Sequence, residues 1–313
     1  MSKFAKPIFL PDAVHFARVK RNREVLKFAG VGFVVRLSIT LIELTGFYLT
    51  QSLTLYADAV STLADIFATA FLVICLKMAQ RPPDKNHPFG HGRYEPLGGF
   101  FLGVLLVGLG VFMLIHQSLQ IGQESLEFHS SPYAALFPLS ALILLEICYR
   151  LMVKVAVAEH SPALAADAMH YRIDSVTSLL AVVALLASAY FPSWKFVIDE
   201  AGAFLIAVFM IFLGIHASRE NFHQLTDRIP DPSFFSKVRA AAHQVDGVRG
   251  TEKIRIQSYG PDAHVNIDVE VEPCLTVDSA HEISRQVRLK IQETWPAVRD
   301  VTVHIEPFYV NDN

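Results

Sequence analysis

Apolar residues fall in long runs near residues 28–49, 53–79, 97–117, 133–156, 163–190 and 196–216. Each approaches or exceeds the roughly 20 residues that carry a helix across a bilayer core, so the pattern predicts six membrane helices. After residue 219 the pattern shortens. Residues 234–245 have helical periodicity, then 252–257 and 264–271 alternate, the latter with Val265, Ile267, Val269 and Val271 on one face and His264, Asn266, Asp268 and Glu270 on the other. A second amphipathic helix over 277–294 precedes a last strand over 301–306. This α-β-β-α-β order predicts a small α+β, ferredoxin-like sandwich with helices on one face of a short sheet. Ile-Pro-Asp-Pro at 229–232 marks the linker. The expected organisation is an N-terminal segment (1–27), an all-α six-helix membrane domain (28–220) and a soluble domain (229–313).

Composition supports a membrane protein with a soluble part: 52% of the 313 residues are hydrophobic and 18% charged, with mean hydropathy +0.36. Charge placement predicts orientation. Lys3, Lys6, Arg18, Lys20, Arg21, Arg23 and Lys27 precede the first helix, Arg81, Lys85 and Arg93 follow the second, Arg150 and Lys154 end the fourth, and Arg219 and Arg228 follow the sixth. The opposite loops carry only Lys195, which places both termini in the cytoplasm. A net charge of -3 predicts no nucleic-acid partner. The first 27 residues lack the short apolar core and cleavage site of a signal peptide. Cys75, Cys148 and Cys274 are too widely spaced for a disulfide framework or a paired-cysteine metal site. No Walker-type phosphate-binding signature points to an ATP-driven pump.

Two apolar runs carry the same polar stripe. In 164–178, Asp167, His170 and Asp174 are spaced by three and four, so they share one bearing on a helix. In 55–69, Asp58, Ser61 and Asp65 repeat that spacing. An internal repeat carrying ionisable groups inside apolar helices points to a transport site. The orientation makes the two copies antiparallel. Asp65 and Asp174 then lie about a dozen residues, roughly 18 Å, into their helices, near mid-membrane. One ion there is in reach of Ser61, Asp65, His170 and Asp174, with Asp58 and Asp167 on the outer and inner approaches. Imidazole with two carboxylates suits Zn²⁺, Fe²⁺, Mn²⁺ or Co²⁺, and no thiolate favours Cu⁺. A helix-packing network or metal-free proton relay is the plainer reading, but it leaves the convergence of two repeated stripes unexplained.

Other polar groups are weaker signals. Residues 82–95, PPDKNHPFGHGRYE, bring Asp84, His87 and His91 round a turn, a spacing that a solvated loop also produces. Arg36 and Glu43 in the first helix are expected to pack, pair through water or snorkel. Glu146 and Arg150 form an i,i+4 pair, and Arg172 points away from the Asp/His stripe.

Taken together, the six predicted helices, the ADAxxxxxD of residues 57–65, the HxxxD of His170 and Asp174, the HPFGHGRYE loop and the small α+β domain resemble the cation diffusion facilitator family. The resemblance covers nearly all of the chain after residue 27. It implies a homodimeric multi-pass exporter, in the inner membrane if bacterial, that exchanges cytoplasmic divalent metal for protons by alternating access. It implies no enzyme activity and no cofactor beyond divalent metal. The family's transport site falls on Ser61, Asp65, His170 and Asp174. Zinc-type members carry His, and others Asp, where Ser61 stands. A serine hydroxyl is a poor zinc ligand, so Asp58 bends in, or water or the hydroxyl completes a weaker site, which opens iron and manganese beside zinc. Asp84, His87 and His91 match a second family metal site. Arg93 and Asp227 match a charge pair joining the membrane and soluble domains. His281, His304 and Glu306 match a metal site that helps join two subunits. Another ligand set is broken, with Asp268 at one position and Lys253 at another. Two rival readings stand beside this one: a non-transporting metal sensor or scaffold, kept open by Ser61, and an intramembrane aspartyl hydrolase using Asp65 and Asp174, around which no protease motif appears.

Overall fold

The computed structural model describes residues 12–50, 53–120, 135–190 and 195–309. The chain divides into Glu24–Leu225 and a second unit of Thr226–Asn313 with Met1–Arg23.

The first unit is built from α1 (Asp12–Thr50) from Glu24 onward, α2 (Leu53–Ala79), α3 (Tyr94–Gln120), α4 (Leu136–Ala158), α5 (Pro162–Tyr190) and α6 (Lys195–Leu225). Helix α1 begins at Asp12, inside the stretch expected to be a separate N-terminal segment. Residues 12–27 contain no Gly or Pro, and Val14 and Val25 are buried, so nothing interrupts the helix. Among the described residues, Asp12–Gly46 and Tyr94–Ile115 are by length and composition sufficient to cross a membrane.

The core joins Val25, Ala29 and Ile39 of α1, Leu72 and Leu76 of α2, Leu145, Cys148 and Met152 of α4, and Leu164 and Tyr171 of α5. Helices α3 and α6 approach through small residues. A Cβ on Gly103 would lie 2.9 Å from the Gly214 carbonyl oxygen, and one on Gly110 would lie 2.9 Å from that of Ala207. Only small residues allow backbones this close, the usual device where lipid supplies no hydrophobic drive between helices. Asn221 of α6, fully buried, donates to Ala217 O at 2.9 Å and Pro162 O at 3.4 Å. Ser161 starts α5: its hydroxyl accepts from Leu164 N at 3.3 Å and donates to the buried Glu95, while Pro162 occupies the first helical position.

The second unit adds α7 (Pro232–Ala242), β1 (Gly250–Tyr259), β2 (Asp262–Val271), α8 (Val277–Thr294) and β3 (Val298–Pro307). The α-β-β-α-β order is that predicted, with α8 spanning the predicted range and the strands running longer. Strand order is β1-β2-β3, β1 antiparallel and β3 parallel to β2. Gly260, at φ 55°, and Pro261 make the two-residue turn between Tyr259 and Asp262, which pair. Asp231 caps α7 by accepting from Ser233 N at 2.9 Å, and the Ser233 hydroxyl, followed by that backbone bond, holds its carboxyl below the usual range. Val265, Ile267, Val269 and Val271 pack with Val238 of α7 and Val287 and Ile291 of α8, which leaves the other face of the sheet clear of this core. Arg18 belongs to this unit: its Nε donates to Pro296 O at 2.8 Å, and its guanidinium lies 4.0 Å from Asp262, which also pairs with Arg299.

Candidate metal centre

Helical spacing puts His170 and Asp174 on one face of α5, and α2 brings Asp65 to them. His170 Nε2 lies 3.1 Å from Asp65 Oδ1 and 3.6 Å from Asp174 Oδ1. One donor atom from each of the three falls within 4.8 Å of the others, a separation one cation can bridge. His170 is 1% exposed and Asp65 8%. The side chains of Asp58 and Ser61 lie outside the described residues, so the predicted four-residue set is described at three positions.

Arg36 of α1 enters the same cluster. Of the readings the sequence offered, Arg36 follows packing and does not snorkel. It is fully buried, with Nη2 3.4 Å from Asp174 Oδ2 and 3.8 Å from Asp167 Oδ1, and Nη1 3.9 Å from Asp65 Oδ1. Its guanidinium carbon stands 4.2 Å from the Tyr171 ring centroid. Asp167, expected on the inner approach, is fully buried against Arg36. The one arginine within the apolar run 28–49 was the available signal, since an intramembrane charge must meet a partner. Its bearing towards these three carboxylates was not in the sequence. Arg172 pairs with Glu146, which also accepts from Arg150 Nε at 2.7 Å.

The loop between α2 and α3 makes a second cluster. Asp84 accepts from His87 N at 2.7 Å and Asn86 N at 2.9 Å, and Gly90, at φ 89°, closes the turn. Asp84 Oδ1 lies 3.4 Å from His87 Nδ1, and its Oδ2 lies 3.4 Å from His91 Nε2. The His91 Nδ1 contact to Pro82 O, at 3.2 Å, aims Nε2 at Asp84, the arrangement that orients a histidine ligand. The bond from His87 N, chief among several contacts, holds the Asp84 carboxyl below the usual carboxylate range.

The soluble unit makes a third. Pairing of β2 with β3 sets Asp268 beside His304 and Glu270 beside Glu306. His304 Nδ1 is 3.2 Å from Glu306 Oε1 and 3.7 Å from Asp268 Oδ1. Lys253 Nζ lies 4.0 Å from Asp268 Oδ2. The expected grouping of His281 with His304 and Glu306 does not form within the chain: His281 is exposed on α8 and outside the cluster, whose third member is Asp268. Strand alternation explains this, because Val303 and Ile305 face the helices while His304 and Glu306 take the other face. Arg93 immediately precedes α3 in one unit, and Asp227, at φ 57°, follows α6 in the other.

Residues 30–226 match the family model of the cation efflux transmembrane domain, and residues 230–308 that of the cation efflux protein cytoplasmic domain. The chain belongs to the cation diffusion facilitator family. It is therefore a cation efflux transporter with a transmembrane domain and a cytoplasmic domain of the dimerising type. Manganese efflux system protein MneP of Bacillus subtilis is 27% identical over 259 residues, covering 81% of this chain and 86% of that protein. Metal tolerance protein 2 of Oryza sativa is 28% identical, covering 82% of this chain and 72% of that protein. Cation-efflux pump FieF of Pectobacterium atrosepticum is 27% identical, with 87% and 89% covered. Among solved structures, a MamM CTD is 27% identical, covering 25% of this chain and 96% of that one, at TM-score 0.24.

Proposed function

We propose that this chain exports a divalent transition metal, manganese, iron or zinc, from the cytoplasm in exchange for protons. The observation that carries the reading is the group of Asp65, the buried His170 and the part-buried Asp174, which two helices deliver to one point. Ser61 completes the site directly or through water, or Asp58 bends in. Carboxylates with one imidazole suit manganese and iron as well as zinc, and the name of the Bacillus relative favours manganese. Metal ligands must shed their protons to bind, so an arriving cation releases protons and an arriving proton weakens the metal. That competition couples opposite flows when the helices alternate between faces. Both termini lie in the cytoplasm, the host membrane is the inner one if the source is bacterial, and two chains associate through the soluble domain. Asp84, His87 and His91 form a second metal site, His304, Glu306 and Asp268 a third, and Arg93 with Asp227 ties the domains together.

The test is flux of Zn²⁺, Mn²⁺ and Fe²⁺ into proteoliposomes under an imposed pH gradient. The native protein carries at least one of them, D174A carries none while eluting as a folded species, and S61H shifts preference towards zinc. Flux by D174A at the native rate overturns the site. The presence of Arg36 amid the carboxylates favours one second reading, a sensor whose site is held by its own cation; absence of any flux by the native protein selects it.

A further inference from the structure

We propose that Arg36 is a built-in counter-ion of the central site, and that its fixed charge sets the cation charge the site accepts. This rests on the reading of Asp65, His170 and Asp174 as the transport site. A guanidinium remains charged in any protein environment, so Arg36 is a permanent cation at full burial. Among the described residues none of its three nitrogens, and neither oxygen of Asp167, makes a hydrogen bond of good geometry, although the Tyr171 side chain neighbours the guanidinium and Thr69 neighbours Asp167. What holds the guanidinium is therefore the field of three carboxylates at 3.4 to 3.9 Å and the face of Tyr171. Gly32, one turn before Arg36, lets that ring lie against α1: a Cβ there would stand 2.5 Å from the Tyr171 hydroxyl oxygen.

At Asp174 the contacts are divided so that one oxygen is left for cargo. His170 faces Asp174 Oδ1 while Arg36 faces Oδ2. Arg36 thus leaves open the Asp174 oxygen that faces the imidazole, while at Asp65 it stands 3.9 Å from Oδ1, the oxygen that lies 3.1 Å from His170 Nε2. With neutral His170, the three carboxylates and one guanidinium among the described residues sum to 1 − 3 = −2. A divalent ion brings that sum to zero. Without Arg36 the sum is −3, and a divalent cation would be held by an uncompensated extra charge in a medium that screens poorly. Arg36 is accordingly a positioning residue: it weakens the grip on a divalent ion enough for release and leaves a monovalent ion short of neutrality.

The experiment measures Mn²⁺ binding and transport in the full-length protein, taking as the central site the part of binding that D174A removes. R36Q binds Mn²⁺ at least tenfold tighter and turns over more slowly, so KM and kcat fall together. R36K stays within about threefold of native, since it keeps the charge. D167N binds more weakly, and R36Q/D167N, which restores a sum of −2, returns to native affinity within about threefold. A purely structural arginine gives no such restoration. Equal or weaker Mn²⁺ binding by R36Q, or a double variant no closer to native than its parents, overturns the proposal. If R36Q does not accumulate folded, D167N, R36K and the double variant decide it: D167N equal to or tighter than native, or a double variant as weak as D167N, overturns it. If D174A removes no binding, the central-site reading itself fails, an outcome distinct from failure of the Arg36 proposal.

Discussion

Replacing Gly103 with alanine tests the close crossing of α3 and α6. The new Cβ would meet Ser218 Oγ at 2.4 Å, Ser218 N at 2.6 Å and Gly214 O at 2.9 Å. The hydroxyl can rotate away; the backbone nitrogen and oxygen cannot, so the helices must part along their contact. Overpacking of this kind costs about 1–3 kcal/mol, offset by the roughly 0.8–1.0 kcal/mol that alanine gains over glycine inside a helix. Gly108, on the same helix, has nothing within 4 Å of its added Cβ, so G108A collects the gain without the clash. At about 2–4 °C per kcal/mol for a unit of this size, G103A should melt a few degrees below native and G108A slightly above it. Thermal unfolding in detergent, followed by size-exclusion chromatography of the heated samples, reads both. A G103A protein that melts at or above G108A would refute the claim that α3 and α6 touch backbone to backbone.

Two predictions concern the soluble unit. Burial holds His264 below its ordinary value, beside the Tyr259 ring at 5.1 Å. Its folded pKa being the lower, the unfolded chain takes up the proton first. Stability is then fully present above the unfolded value of about 6.5 and lost as pH falls from there towards the folded one. Urea unfolding followed by Trp295 fluorescence in a W194F background should show this acid loss, and H264Q should flatten it; an unchanged pH profile in H264Q excludes the assignment. In the Asp268 cluster, K253A removes an ammonium 4.0 Å from the carboxylate. An exposed pair is worth about 0.2–1 kcal/mol, so Zn²⁺ should bind this cluster roughly 1.4- to 5-fold tighter in K253A. H304A should remove that Zn²⁺ altogether, and equal stoichiometry by equilibrium dialysis would show that the cluster holds none.

Most of the fold was legible because its signals are local. The alternation of Val265, Ile267, Val269 and Val271 against His264, Asn266, Asp268 and Glu270 fixed the buried face of β2 before any partner strand was known. Strand ends were less legible, since β1 extends back to Gly250 through an irregular pairing between Thr251 and Ile254 that periodicity does not encode. Helix α1 likewise runs back from the apolar stretch 28–49 to Asp12, because no breaker stands between them.

The chain alone therefore determined what repeats within one element: the apolar runs, the α-β-β-α-β order, and the stripe that places Asp167, His170 and Asp174 on one face of a helix. Bond geometry imposes those periods wherever the helix or strand ends up. Only the tertiary structure decided which stripes meet. It brought Asp65 to His170, set Arg36 among three carboxylates, closed Asp167 off behind that arginine, and parted His281 from His304 within the chain. A charge in an apolar helix announces that a partner must exist; packing between helices far apart in sequence selects which one.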